Sequence, residues 1–201
     1  MKKNTILTAV AVLGFAMASQ ATPVTFTFLE DGSNINLGSS HTFNSGGASI
    51  TAYAFSTDSS AQQLFAKDQG AGEQGLGIVS DPSGNHEIWG NTFIQLFALA
   101  GLPTLNITLG STDGGEIANI YYSSTLGTLG SLIGSVNSDT TFDIASGYQH
   151  GYLSVQASGE NVGTPNVLLG TATTTVPDGG TTIALLGAAM AAAGMIRRKL
   201  A

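Results

Sequence analysis

The chain has 201 residues, thirteen acidic and six basic side chains, no cysteine and a formal net charge of −7. Without cysteine there are no disulfides, thiol nucleophiles or zinc–thiolate centres. Five of the six basic residues (Lys2, Lys3, Arg197, Arg198 and Lys199) lie at the two ends, so the stretch between them sets Lys67 alone against twelve acids, a net of −11. A domain so poor in cations cannot neutralise phosphates, which excludes nucleic acid as a partner, and it is repelled by anionic membrane surfaces. Gly, Ser, Thr and Asn are abundant while the charged helix formers are scarce, a composition that favours short strands joined by turns.

Residues 1–21 have the pattern of a secretory signal peptide. Lys2 and Lys3 form a basic front, Ile6 to Met17 an apolar stretch, and Ser19-Gln20-Ala21 a small-x-small cleavage site. Cleavage between Ala21 and Thr22 by the export route, with the Sec machinery as partner, is the expectation. The apolar stretch is short for a permanent span.

Thr22 to Thr175 then make a domain of 154 residues, enough for one hydrophobic core. Thr25-Phe26-Thr27-Phe28 alternates polar and aromatic residues, as a half-buried strand does. The Gly/Ser/Asn-rich stretch 32–47 offers only His41-Thr42-Phe43 as a short strand. Ser49 to Phe55 alternates Ile50, Ala52 and Ala54 with Thr51, Tyr53 and Phe55, which suits a strand covered on both faces. Residues 56–75 read as a loop with one helical turn at 61–65. The segment Gly75-Leu76-Gly77-Ile78-Val79, followed by His86-Glu87-Ile88-Trp89-Gly90, is the most distinctive of the middle region.

Thr92 to Ala100 reads as a long buried strand, and Thr104 to Leu109 as the cleanest alternation in the chain. Asp113-Gly114-Gly115 is a tight-turn signal, so the strands flanking it are expected to pair as a hairpin. Residues 125–137 read as a loop with a brief helical turn. Strands near 140–144, 151–157 and 166–174 complete eight or nine in all. The expected fold is all-β, an antiparallel β-sandwich of jelly-roll-like type.

At 176–201 the residue types change again. Val176-Pro177-Asp178-Gly179-Gly180 breaks any strand, because Pro177 has no amide proton to donate. Thr181 to Ile196 is uncharged over 16 residues, roughly 24 Å as a helix. That is short of the roughly 30 Å hydrocarbon core, and its alanines and glycines make it weakly apolar. Arg197, Arg198 and Lys199 form a basic stop that keeps the C-terminus on the cytoplasmic side and the domain outside. On these grounds the tail is a single transmembrane helix, either a plain anchor or one meant to be cut.

This tail resembles the C-terminal sorting signal of PEP-CTERM proteins, and most closely the variant with the signature Val-Pro-Asp-Ser-Gly. Val176, Pro177, Asp178 and Gly180 match, and Gly179 stands where that variant has Ser. The run Leu185-Leu186-Gly187 and the closing Arg-Arg-Lys are similar as well. The resemblance implies recognition by an exosortase-type membrane protease of Gram-negative-type bacteria, removal of the helix, and delivery of the domain to the cell surface or matrix. Proteins with this tail are associated with exopolysaccharide and biofilm.

Within the domain, Asp68, Glu73, Asp81 and Glu87 lie in one loop-rich region with Asn85, an oxygen-rich set of the kind calcium takes; the bland alternative is a solvated acidic loop. Trp89, the only tryptophan, is a candidate for stacking on a sugar ring, against a packing role. His41, His86 and His150 are scattered, with no nucleophile elbow and no second histidine four residues after His86, so no catalytic residue is assigned. The reading is a non-enzymatic exported protein, structural or adhesive in the extracellular matrix. A calcium-assisted carbohydrate-binding module is the alternative from another class, and a secreted hydrolase a distant third. Calcium is the one cofactor these residues suggest.

Overall fold

The computed structural model describes residues 22–29, 34–70, 73–97, 104–112, 115–148, 150–159 and 165–176, together with Gly187 and Met190. The chain divides into two units, Thr22–Val176 and a second made of Met1–Ala21 with Pro177–Ala201. In the second unit Gly187 and Met190 are helical and exposed; the rest of the expected signal peptide and of the helix 181–196, the motif residues Pro177 to Gly180 and the basic stop lie outside the described residues. Among the described residues no helix is long and apolar enough to cross a membrane.

Thr22–Val176 is all-β. Its described strands are β1 Thr22–Thr27, β2 Ile35–Gly38, β3 Ser40–Ser45, β4 Ala48–Ser56, β5 Leu64–Asp68, β6 Gln74–Ile78, β7 Ile88–Trp89, β8 Thr92–Phe97, β9 Leu105–Gly110, β10 Glu116–Ser123, β11 Ser131–Val136, β12 Thr141–Ile144, β13 Tyr152–Gly159 and β14 Asn166–Val176. A single turn of 3₁₀-helix, Ser146–Tyr148, precedes β13. The strands form two sheets. The first runs β12-β9-β14-β6-β5-β2, with β1 and β7 also paired to β14; the second runs β11-β10-β13-β8-β4-β3. Every pairing is antiparallel.

Both sheets feed one β-sandwich-like core. Phe26, Leu64, Leu76, Ile107, Leu109 and Leu169 come from the first, and Ile50, Ile94, Leu96, Ile120, Leu153 and Val155 from the second. The period-two side-chain geometry of strands explains which residues these are. Leu105, Ile107 and Leu109 of β9 are buried, while Asn106 and Thr108 between them are half-buried. In β4, Ile50, Ala52 and Ala54 enter the core, and Tyr53 and Phe55 take the other face, where they stack at 6.5 Å between centroids.

Several expectations are corrected. The stretch 32–47 holds two strands rather than one. Polar side chains help to fix β2: the Asn36 side-chain amide donates to Gln63 Oε1 at 2.7 Å, and that of Asn34, just before the strand, donates to the Asp68 carbonyl at 2.9 Å. The helical turn expected at 61–65 is replaced by the start of β5, because Leu64 and Ala66 alternate into the core. Residues 131–136, expected to be loop, form β11 at the edge of the second sheet, where little of the strand is buried to mark it. The hairpin expected across Asp113-Gly114-Gly115 does not form. There β9 pairs with β12 and β14 while β10 pairs with β11 and β13, so the chain crosses from one sheet to the other. Glycine-rich sequence looks the same whether it turns a hairpin or bridges two layers.

Candidate functional site

The distinctive segment 75–90 builds a polar cluster inside the first sheet. Two glycines make it sterically feasible. A Cβ on Gly75, whose φ is +151°, would stand 2.6 Å from the Leu169 carbonyl oxygen, and one on Gly77 would stand 1.9 Å from that of His86. Only hydrogen at both positions lets β14 and the His86–Glu87 backbone lie directly against β6. His86 itself is left-handed at φ 60°, its ring packs on Phe65 at 4.1 Å, and its Nδ1 donates to the Val79 carbonyl at 3.3 Å.

This approach carries Glu87 to Lys67. Lys67 sits in β5 opposite Gly75, and its side chain is 2% exposed. The ammonium donates to Glu87 Oε1 at 2.5 Å and also to Glu73 Oε2. Glu87 is as buried as Lys67, whereas the Glu73 side chain is 41% exposed. Ser111, at the end of β9 in a left-handed conformation, places its Oγ 3.2 Å from Glu73 Oε1 and from Glu87 Oε1. Glu73 and Glu87 thus meet on the Lys67 nitrogen, and Ser111 bridges the two carboxylates.

Burial, the largest influence on Lys67, favours its neutral form, but its bonds to Glu73 and Glu87 outweigh it and hold the ammonium above the ordinary lysine range. Burial likewise pushes Glu73 up, yet the Lys67 hydrogen bond and its charge bring the net shift below the usual carboxylate range. For Glu87 the balance is reversed. Burial raises it, the Lys67 contact opposes, and the neighbouring Glu73 charge adds to the upward shift, so it ends above the usual range.

The four acids read as calcium candidates are used differently. Glu73 and Glu87 face Lys67. Asp81, buried, closes its own loop, accepting from the Ser83 amide at 2.9 Å, Ser83 Oγ at 2.6 Å and the Glu87 amide at 3.2 Å. Asp68 accepts from Gln74 Nε2 at 2.6 Å. Among the described residues no group of three or more His, Asp or Glu side chains is arranged to hold a metal ion. Trp89 is half-buried in β7 opposite Asn166; its backbone is clasped by Thr92 Oγ1, and its Nε1 is buried without a hydrogen-bond partner. Sequence reasoning missed Lys67 and Ser111 as partners. The available signal was that Lys67 is the domain's one cation and lies in a stretch with apolar neighbours, Leu64-Phe65-Ala66.

The second feature is the pair of positions where the sandwich begins and ends. β1 starts at Thr22, β14 ends at Val176, and these two residues are partners in the β1–β14 ladder. Val176 also packs against the core. The first residue of the tail motif is therefore the last residue of the folded domain, next to the residue read as the mature N-terminus. On the outer side of this sheet threonine hydroxyls pair across strands, Thr25 with Thr173 at 3.2 Å, Thr108 with Thr141 at 3.2 Å and Thr104 with Thr175 at 3.0 Å.

A sandwich-like β domain that ends where a sorting motif begins defines the class: a folded cargo with a C-terminal address. Residues 175–200 match the VPDSG-CTERM motif, so the tail is a PEP-CTERM-type sorting signal. That match supports an exported, surface-directed protein processed by an exosortase-type membrane protease. No curated protein and no solved structure matches the chain.

Proposed function

We propose that this protein is a non-enzymatic surface or matrix component, whose jelly-roll-type sandwich is left outside the cell after both ends are removed. The signal peptide 1–21 directs export, the helix 181–196 with its basic stop holds the chain in the inner membrane, and the exosortase-type protease cuts at the motif 176–180. The observation that carries the reading is the Thr22–Val176 pairing. Processing at either boundary leaves all strands of the sandwich intact, so the product keeps its whole core.

An adhesive role towards exopolysaccharide is supported by the surface chemistry. The domain's sole cation is buried, so the exterior offers carboxylates, amides and the paired threonine hydroxyls of the first sheet. Neutral polyhydroxyl chains are partners that such a surface does not repel, unlike nucleic acid or anionic lipid.

The experiment replaces Pro177 and Asp178 by alanine in the full chain and follows it by cell fractionation. The expected result is retention in the membrane fraction at full length, while the unchanged chain reaches the surface. Equal surface delivery of both would overturn the reading.

A further inference from the structure

Lys67, Glu87, Glu73 and Ser111 have no part in sorting, and their arrangement is that of reactants. We propose that Lys67 and Glu87 condense to an intramolecular amide, with Glu73 as proton carrier and Ser111 as donor to the reacting carboxyl. The amine and the acid are held in contact at 2.5 Å, both 2% exposed. Groups fixed in this way react with effective molarities of about 10⁵–10⁸ M when the geometry is near that of attack.

The step balances without a co-reactant. The ammonium of Lys67 and the carboxylate of Glu87 give one amide and one water. A bond forms between Nζ and the Glu87 Cδ, one Cδ–O bond breaks, and two of the three ammonium protons leave with that oxygen. Glu73 touches the same nitrogen and is the partly exposed member, so it can take a proton from Nζ, return it to the departing oxygen, and lead the water out. Ser111 Oγ, 3.2 Å from Glu87 Oε1, stabilises the charge that develops there. Burial raises Glu87 towards the acid form whose hydroxyl can depart; on Lys67 burial likewise favours the neutral amine, against the bonds to Glu73 and Glu87 that hold the ammonium above its ordinary range.

Burial also sets the direction. Two opposite charges kept out of water each carry a desolvation penalty, and the amide removes both charges at once. The same exclusion of water protects the product from hydrolysis. The link would tie β5 to the segment entering β7 in a chain with no cysteine for a disulfide.

Peptide mapping tests it on the full-length exported chain. After denaturation and chymotryptic digestion carried through to cleavage after Leu76, the peptides 66–76 and 77–89, which bear Lys67 and Glu87, are expected as one branched species lighter by one water. Trypsin should fail to cut at Lys67, the only lysine or arginine between Thr22 and Val176. Glu87→Ala should restore separate peptides and tryptic cleavage. Glu73→Ala should slow linkage by at least about 100-fold, the low end for a lost acid–base group. Separate peptides of full mass from the folded wild-type chain would overturn the proposal, as would a branch at Glu73 in place of Glu87. An undiminished rate in Glu73→Ala would overturn its role as carrier. None of these readouts depends on how the tail is processed.

Discussion

The two sheets are built on different principles. The second has the longest continuous ladders: β10 and β13 pair over eight consecutive positions and β4 and β8 over six, with a bulge at its β11 edge between Ile120 and Tyr121. The first is more interrupted, although β1 and β14 pair without a break over six positions. β14 meets β6 through the single pair Leu169–Leu76, its ladder with β9 is bulged between Leu169 and Thr171, and β2 is bulged against β5. What joins its pieces is backbone lying on glycine and a buried ion cluster. Regular pairing distributes stability over many small contacts, whereas the first sheet concentrates it at Lys67, Gly75 and Gly77.

That contrast predicts where the molecule breaks. The largest loss is expected for Lys67→Ala, which strands the buried Glu87 carboxylate; removal of one partner from a buried pair costs about 3–5 kcal/mol. Urea unfolding measures it. The double change Lys67→Met with Glu87→Leu, which takes both charges away, should recover the part of that loss owed to the stranded carboxylate but not the part owed to the Lys67–Glu87 link.

Gly77→Ala comes next, at about 3 kcal/mol, because its methyl would collide with the His86 carbonyl and push Glu87 off Lys67. Gly90→Ala is the matched control. Its added Cβ would meet nothing nearer than 3.7 Å, so a change within about 0.5 kcal/mol is expected.

In the second sheet the corresponding polar anchor is Gln95. It is buried, donates to the Thr128 carbonyl at 2.7 Å and accepts from the Gly127 amide at 2.8 Å, which ties the 124–130 loop over the sheet. Gln95→Ala should cost about 2 kcal/mol and raise hydrogen exchange at Gly127, while the Lys67 cluster stays intact.

The smallest effect concerns pH. In the turn after β4, hydrogen bonds from Ser56, and then from the Ser60 amide, hold the Asp58 carboxyl down at about 2. The folded state therefore favours the ionised form. Its contribution is present above the ordinary value of 3.8 and is lost as pH falls through about 2. The Tm difference between wild type and Asp58→Asn should be seen at neutral pH and vanish near pH 2.

The second sheet was also the more legible in the sequence. Alternation in β4 and β8 identifies strands and core together, as it does for β9 in the first. β2 and β5 were hidden because their partners are polar: Asn36 bonds Gln63, and Lys67 is buried on charge rather than on apolar surface. Gly75-Leu76-Gly77 and His86-Glu87 stood out as unusual, but a sequence does not reveal that one glycine carries the backbone of the other segment. The acids Glu73 and Glu87 were found, but the sequence did not show that the chain's own Lys67 lies between them. The tail was the most legible part. Its meaning rests on residue order along the chain, Val-Pro-Asp-Gly-Gly, apolar run and basic stop, which needs no tertiary structure to be read.

The central claim is that a folded acidic domain is separated from its tail where β14 ends. Mass spectrometry of the C-terminal peptide of surface-extracted protein tests it directly. The account predicts a terminus within the 176–180 motif, with residues 181–201 missing from the surface form. A surface form that ends at Ala201 would contradict it.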